Sequence, residues 1–142
     1  MPEKIGRIIC EISDFCFPLR HQTKTLTMEK ARFKVILSAE AEAFLRTLKE
    51  KVRNKIIGNF RKASYSLDPK LFKKLEGSEI WEFRALYGGV QYRMLAFWDK
   101  TNMSYTLVVA THGFIKKTQK TPLKEIAKAE RIRARYFELK TD

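Results

Sequence analysis

The hydrophobic pattern of this 142-residue chain changes period at Gly77, and that change limits the architectures open to it. Upstream, across about 39–64, Phe44, Leu45, Leu48, Val52, Ile56 and Phe60 recur at three- and four-residue steps, the spacing of one helix face. Downstream, Ile80-Trp81-Glu82-Phe83-Arg84-Ala85-Leu86-Tyr87 is aromatic-rich and largely alternating, which predicts a strand. Gly88-Gly89 is a hairpin turn signal, because glycine takes positive φ without a Cβ clash. Val90 to Trp98 is the return strand, with Tyr92, Met94, Ala96 and Trp98 in register with one another. Lys100-Thr101-Asn102 makes the next turn. Ser104 to Thr111 forms a third strand, apolar enough at Leu107-Val108-Val109-Ala110 for an interior position, and Gly113 is expected to end it.

The flanks complete the pattern. Phe33 to Leu37 predicts a first strand, and Ser38 fits a helix N-cap followed by Glu40 and Glu42 in the first turn. Twenty-six residues is long for one globular helix, so a helical hairpin breaking near Lys49 to Arg53, or a helix ending at Gly58, fits equally well. Leu71, Phe72 and Leu75 form a short apolar patch after the Ser66-Leu67-Asp68-Pro69 turn. Pro122 suits the first turn of a final helix carrying Ile126, Ala129, Ile132 and Phe137. The expected fold class is α+β: an antiparallel sheet of about four strands, an N-terminal helical hairpin and a C-terminal helix, with the helices on one face. Residues 1–27 hold both cysteines, Cys10 and Cys16, and His21. They are expected to be an N-terminal extension with a short helix, or a stretch upstream of a natural start at Met28, ahead of a domain at 28–142.

Charge bounds the partners. Lys and Arg number 29 against 16 Asp and Glu, a net charge of +13. Such a surface attracts polyanions: nucleic acid, an anionic membrane or an acidic protein. No run approaches the ~20 apolar residues of a membrane span. The apolar stretch at Ile8 to Phe15 is broken by two acids, unlike a signal peptide, so the expected location is the cytoplasm. The two cysteines lack a second Cys/His pair at ligand spacing, Gly-rich phosphate loops are missing, and Glu79, Glu82 and Asp99 have mixed facings. Neither a metal nor another cofactor is expected.

What the strands do carry is cations beside aromatics. Glu82 and Arg84 lie two apart, Arg93 sits between Tyr92 and Met94, and His112, Lys116, Lys117 and Lys120 follow the third strand. A face of this kind suits single-stranded RNA, whose phosphates meet cations and whose bases stack on rings. It also suits metal-free cleavage, in which RNA supplies its own 2′-hydroxyl nucleophile. The protein then supplies a base, an acid and cations for the charge developing at phosphorus. A lysine among other cations has a lowered pKa and can serve as that base or acid. Each residue has a competing structural role. Arg84 and Arg93 can pair with acids, His112 can be structural, Tyr136 can pack in the core, and the lysines can be solvated or meet an acidic partner.

The order Leu75-Glu76-Gly77, Ile80-Trp81-Glu82-Phe83-Arg84, Gln91-Tyr92-Arg93, then His112-Gly113-Phe114-Ile115-Lys116-Lys117-Thr118-Gln119-Lys120-Thr121-Pro122 resembles the RelE/ParE toxin superfamily, and within it the HigB-like, phage-derived branch. The resemblance covers about residues 31–138. It implies a RelE-like fold and the toxin of a type II toxin–antitoxin system that cleaves mRNA, often on the ribosome. Arg84 and Arg93 match strand arginines of the family's RNA-binding face, and Lys116, Lys117 and Lys120 match its basic strand-end cluster. His112 matches a position the family varies, and Tyr136 lies where some relatives carry a working tyrosine. The expected catalytic set is therefore Arg84, Arg93, His112, Lys116 and Lys117, with Tyr92, Lys120 and Tyr136 on RNA. The expected partners are mRNA and an acidic antitoxin of helix-turn-helix type. A gyrase-inhibiting toxin and an inactive RNA-binding module are the alternatives.

Overall fold

The computed structural model describes residues 9–11 and 31–140. The elements in chain order are β1 (Ile9–Glu11), β2 (Lys34–Ser38), α1 (Ala39–Arg46), α2 (Glu50–Tyr65), β3 (Phe72–Lys74), β4 (Trp81–Tyr87), β5 (Val90–Asp99), β6 (Leu107–Lys116) and α3 (Leu123–Lys140). The short helix expected within 1–27, Cys16, His21 and Met28 lie outside the described residues. Within that stretch, Ile9–Glu11 pairs antiparallel with β2.

Among the described residues the sheet is six-stranded and mixed, in the order β1-β2-β6-β5-β4-β3. This corrects the expectation of an antiparallel sheet of about four strands. The β4–β5–β6 meander is antiparallel, as its hairpin signals require. Its Gly88-Gly89 turn has φ of 59° and 79°, the left-handed pair that lets two twisted strands close in two residues. However, β2 joins β6 in parallel, Val35 opposite Val108 and Ile36 opposite Val109. Parallel neighbours need a crossover, which here contains α1, α2 and three strands. The consecutive Val35-Ile36-Leu37 run is buried on both faces, as an interior strand is.

The helical segment breaks between Arg46 and Glu50, but the two helices do not form the expected hairpin. α1 packs on β6 and β2, whereas α2 packs on β4 and β2. Ser38 caps α1 by accepting from the Ala41 amide at 3.1 Å. The Thr47 hydroxyl closes the helix by donating to the Phe44 carbonyl at 2.7 Å. Arg53 of α2 then donates to the Leu48 carbonyl at 3.0 Å, so this cation stitches the break.

The helices cover both faces of the sheet, not one. Met94, Ala96, Val108 and Ala110 join Leu45, Ile56 and Phe60 under α1 and α2. Leu95, Phe97 and Val109 join Ala129 and Tyr136 under α3. Among the described residues no helix is long and apolar enough to cross a membrane.

One irregularity decides where the functional side chains point. β5 and β6 pair in register from Asp99 opposite Leu107 to Ala96 opposite Ala110, and then Leu95 faces His112. Thr111 is the extra residue, a β-bulge. Its hydroxyl donates to the Leu95 carbonyl at 3.2 Å, and its carbonyl accepts from Ser38 Oγ at 2.7 Å, so the disrupted ladder keeps its bonds. Side chains alternate with period two, so one inserted residue swaps every later side chain to the other face. Val109 before the bulge and His112, Phe114 and Lys116 after it all face α3. Gly113 does not end the strand, which runs on to Lys116. It faces α1, where a Cβ would overlap the Phe44 ring, so only glycine fits.

Candidate nucleic-acid interface

The α3 side of the sheet ends in a groove beside the start of that helix, whose Leu123 and Ile126 form part of its wall. Register builds it: Lys73 is opposite Glu82, Arg84 is opposite Arg93, and Lys116 is opposite Gln91. The groove has a volume of about 860 Å³, and Lys73, Glu82, Arg84, Lys116, Lys120 and Thr121 contribute to its lining.

Glu82 is its centre and is 3% exposed. Its Oε2 lies 3.5 Å from Arg84 Nε and 3.5 Å from Arg93 Nε. Its Oε1 accepts from the Thr121 hydroxyl at 2.5 Å, which ties the basic 117–122 connection to the sheet. Arginines directly opposite each other on one face repel, and the carboxylate beneath them offsets this. The backbone of Arg84 is held on both sides. Its amide donates to the Leu71 carbonyl at 2.8 Å and its carbonyl accepts from Asn59 Nδ2 of α2 at 3.0 Å.

The two arginines differ in what they can do. The Arg84 side chain is 33% exposed and opens onto the groove, whereas Arg93 is 4% exposed. Arg93 donates to Gln91 Oε1 at 2.6 Å and to the Tyr92 carbonyl at 3.1 Å, and its Nε has only the long contact with Glu82. Burial lowers the Arg93 pKa, Glu82 opposes the shift and Arg84 adds to it. Burial, followed by the nearness of Arg93, also lowers the Lys116 ammonium from its ordinary 10.5; Glu82 opposes this, and Arg84 and Lys73 add to it. Lys116 therefore gives up its proton more readily than a solvated lysine.

The other expected site residues lie apart. Lys120 lines the groove; Lys117 is exposed and stands outside the lining. Tyr92 packs against the core under α1 and α2, on the face opposite Arg93. The same holds for Trp81, Phe83 and Trp98, so strand alternation separates the rings from the cations that the sequence places beside them. His112 is 4% exposed, with Nε2 at 2.9 Å from Glu125 of α3 and Nδ1 at 3.1 Å from Thr111. Its geometry is that of a strand-to-helix tie. Tyr136 is buried at the far end of the sheet, where it donates to Asp99 at 2.6 Å. Burial and the Asp99 carboxylate push its phenol up, so it is a fixed, neutral donor.

Sequence reasoning missed Lys73 and Thr121 and gave Glu82 no role beyond pairing. Glu82 had a visible signal, since a residue two before Arg84 on a strand shares its face. Lys73 had none, because its three-residue strand reads as an apolar patch. Among the described residues, no three His, Cys, Asp or Glu side chains gather as a metal site does.

A model of the phage-derived Gp49-like family (DUF891) matches residues 43–134, a span that takes in α2, β3 to β6 and most of α3. No curated protein matches the chain.

Proposed function

We propose, on the premise that this chain belongs to the phage-derived Gp49-like family and so to the RelE/ParE-like toxin superfamily, that it is the toxin of a type II toxin–antitoxin pair, of HigB-like kind, and cuts mRNA in the groove around Glu82. The observation that supports this most is the convergence of Arg84 and Lys116, with Lys73 and Lys120, on one open face.

In this reading Arg84 and Lys120 meet the scissile phosphate. The neutral fraction of Lys116 takes the proton of the ribose 2′-hydroxyl. The 2′-oxygen attacks phosphorus, the bond to the 5′-oxygen breaks, and a protonated lysine of the rim returns a proton to that oxygen. The products are a 2′,3′-cyclic phosphate and a 5′-hydroxyl. Arg93 is too buried to touch RNA and acts as a positioning residue, holding Glu82 and through it Arg84. Cations preorganised for developing charge are worth about 2.7–4 kcal/mol for one donor, and proton transfer adds about 10²–10⁴-fold. The site of action is the cytoplasm, where messages are translated. An acidic antitoxin matches a chain of net charge +13.

The test uses the purified full chain with single-stranded RNA in excess chelator and, separately, with ribosomes translating a message in magnesium buffer. Cleavage leaving cyclic phosphate ends is expected, with a loss of about 10²-fold or more in Arg84→Ala and Lys116→Ala proteins of unchanged thermal stability. Intact RNA in both conditions contradicts the reading.

A further inference from the structure

The groove around Glu82 has a second kind of wall, which the cleavage chemistry does not use. Besides the cations, Leu75 of the turn before β4 and Leu123 and Ile126 of α3 line it. Leu123 and Ile126 are three residues apart and so share one side of the helix. Leu75 and Ile126 are half-buried, their inner surfaces packed on the cluster that holds Ile80 and Leu95. Leu123 is 82% exposed, so the core accounts for little of its surface.

This wall is held in place before any ligand arrives. Two residues before Leu123, the Thr121 hydroxyl donates to Glu82 at 2.5 Å. Two residues after it, Glu125 meets His112 Nε2 at 2.9 Å. The buried His112, which takes no part in the chemistry, thus fixes the start of α3 against the sheet. The Leu75 turn is braced in the same way. The Leu75 amide donates to the Ile80 carbonyl at 2.9 Å, and the Ile80 amide donates to Ser78 Oγ at 3.0 Å. Gly77, at φ 78°, supplies the left-handed residue that closes the turn. A surface ordered beforehand loses little entropy when it binds.

We infer that this apolar wall seats one unstacked nucleobase beside the cut, and that Leu123 is the residue that sets which base is preferred. The inference deepens the proposed function and rests on its reading of the groove as an RNA site. A base is apolar on its faces and polar at its edges, which matches a wall of leucine and isoleucine beside a row of cations. At about 860 Å³ the groove has room for a base as well as a phosphate. Contact with aliphatic side chains scales with the area covered, so a purine is favoured over a pyrimidine. Gln119 lines the same groove and offers its amide to the base edge.

The test uses the full chain and short, labelled single strands of RNA with 2′-fluoro in place of every 2′-hydroxyl, which lack the nucleophile. Anisotropy titrations compare the complete strand with versions made abasic at each position in turn. One position should stand out, with binding weakened about fivefold or more when its base is removed. Leu123→Ser should weaken the complete strand by a similar factor at unchanged thermal stability, and the abasic change at that position should then cost nothing further. Purine-to-pyrimidine exchange there should weaken the wild type and leave Leu123→Ser indifferent, whereas Leu123→Met should keep the preference. Equal losses at every position, additive losses in Leu123→Ser, or no binding by the wild type each overturns the inference. No cut is read here, so the two proposals fail separately. Intact RNA in the cleavage assay with this coupling retained defeats only the nuclease reading, and cleavage with additive losses defeats only the base seat.

Discussion

Glu82 lies beneath the cations of the groove, and its neighbours depend on it unequally. Arg93, at 4% exposure, has no other carboxylate within ion-pair distance among the described residues, whereas Arg84 reaches solvent. Removing one member of a buried pair leaves the other charged and uncompensated, at a cost of about 3–5 kcal/mol. Glu82→Ala should therefore lower stability by about that much in urea unfolding, and Glu82→Gln by less, since an amide oxygen still accepts from Thr121. Arg84→Ala should change stability by only about 0.5 kcal/mol while removing cleavage, because Arg84 reaches solvent and Glu82 keeps Arg93 as its buried partner. A large loss in Arg84→Ala would mean that its role is structural. His112 supplies a pH test. Burial, the largest cause, lowers its pKa from 6.5, with Lys128 adding and Glu125 and Glu40 opposing. The folded value lies below the unfolded one, so the unfolded chain takes the proton first as pH falls. Stability should then drop as pH falls through 6.5 and level off below the folded value. His112→Gln should flatten that slope; an unchanged slope would place its origin in other groups.

At the scale of elements, the bulge at Thr111 sets which residues of β6 join Arg84. Gly113 sits just beyond it against the Phe44 ring. Gly113→Ala should cost about 1–3 kcal/mol through overpacking, and Phe44→Ala in the same protein should recover part of that loss. Additive losses would show that the two positions do not meet. Much at this scale was legible: the period change, the Gly88-Gly89 hairpin and the Ser38 cap are local signals with local causes, whereas the helix break, expected near Lys49 to Arg53 or at Gly58, falls between Arg46 and Glu50. What escaped was non-local. No turn residue marks Thr111, because its bulge is held by Ser38, 73 positions away. The parallel β2–β6 pairing is likewise set by distant partners. α3 covers the second face because Leu95, Phe97 and Val109 alternate with residues already buried on the first. That alternation is present in the sequence, but it does not say which helix lies where. The same alternation explains why Tyr92 was misplaced beside Arg93.

The whole molecule is a mixed sheet with helices on both faces and a cationic groove at one end, open beside the start of α3. On the proposed function, its +13 charge steers both the encounter with RNA and that with an acidic partner by the same field. The proposed function requires that this field and the Glu82 groove end in cleavage. The direct measurement is induction of the full chain in a bacterial host, beside an Arg84→Ala version of equal abundance, with RNA 5′ ends mapped across the transcriptome. New ends inside translated messages with the wild type, absent with Arg84→Ala, are the predicted result. Growth arrest without new ends, or the same ends from both proteins, would contradict it.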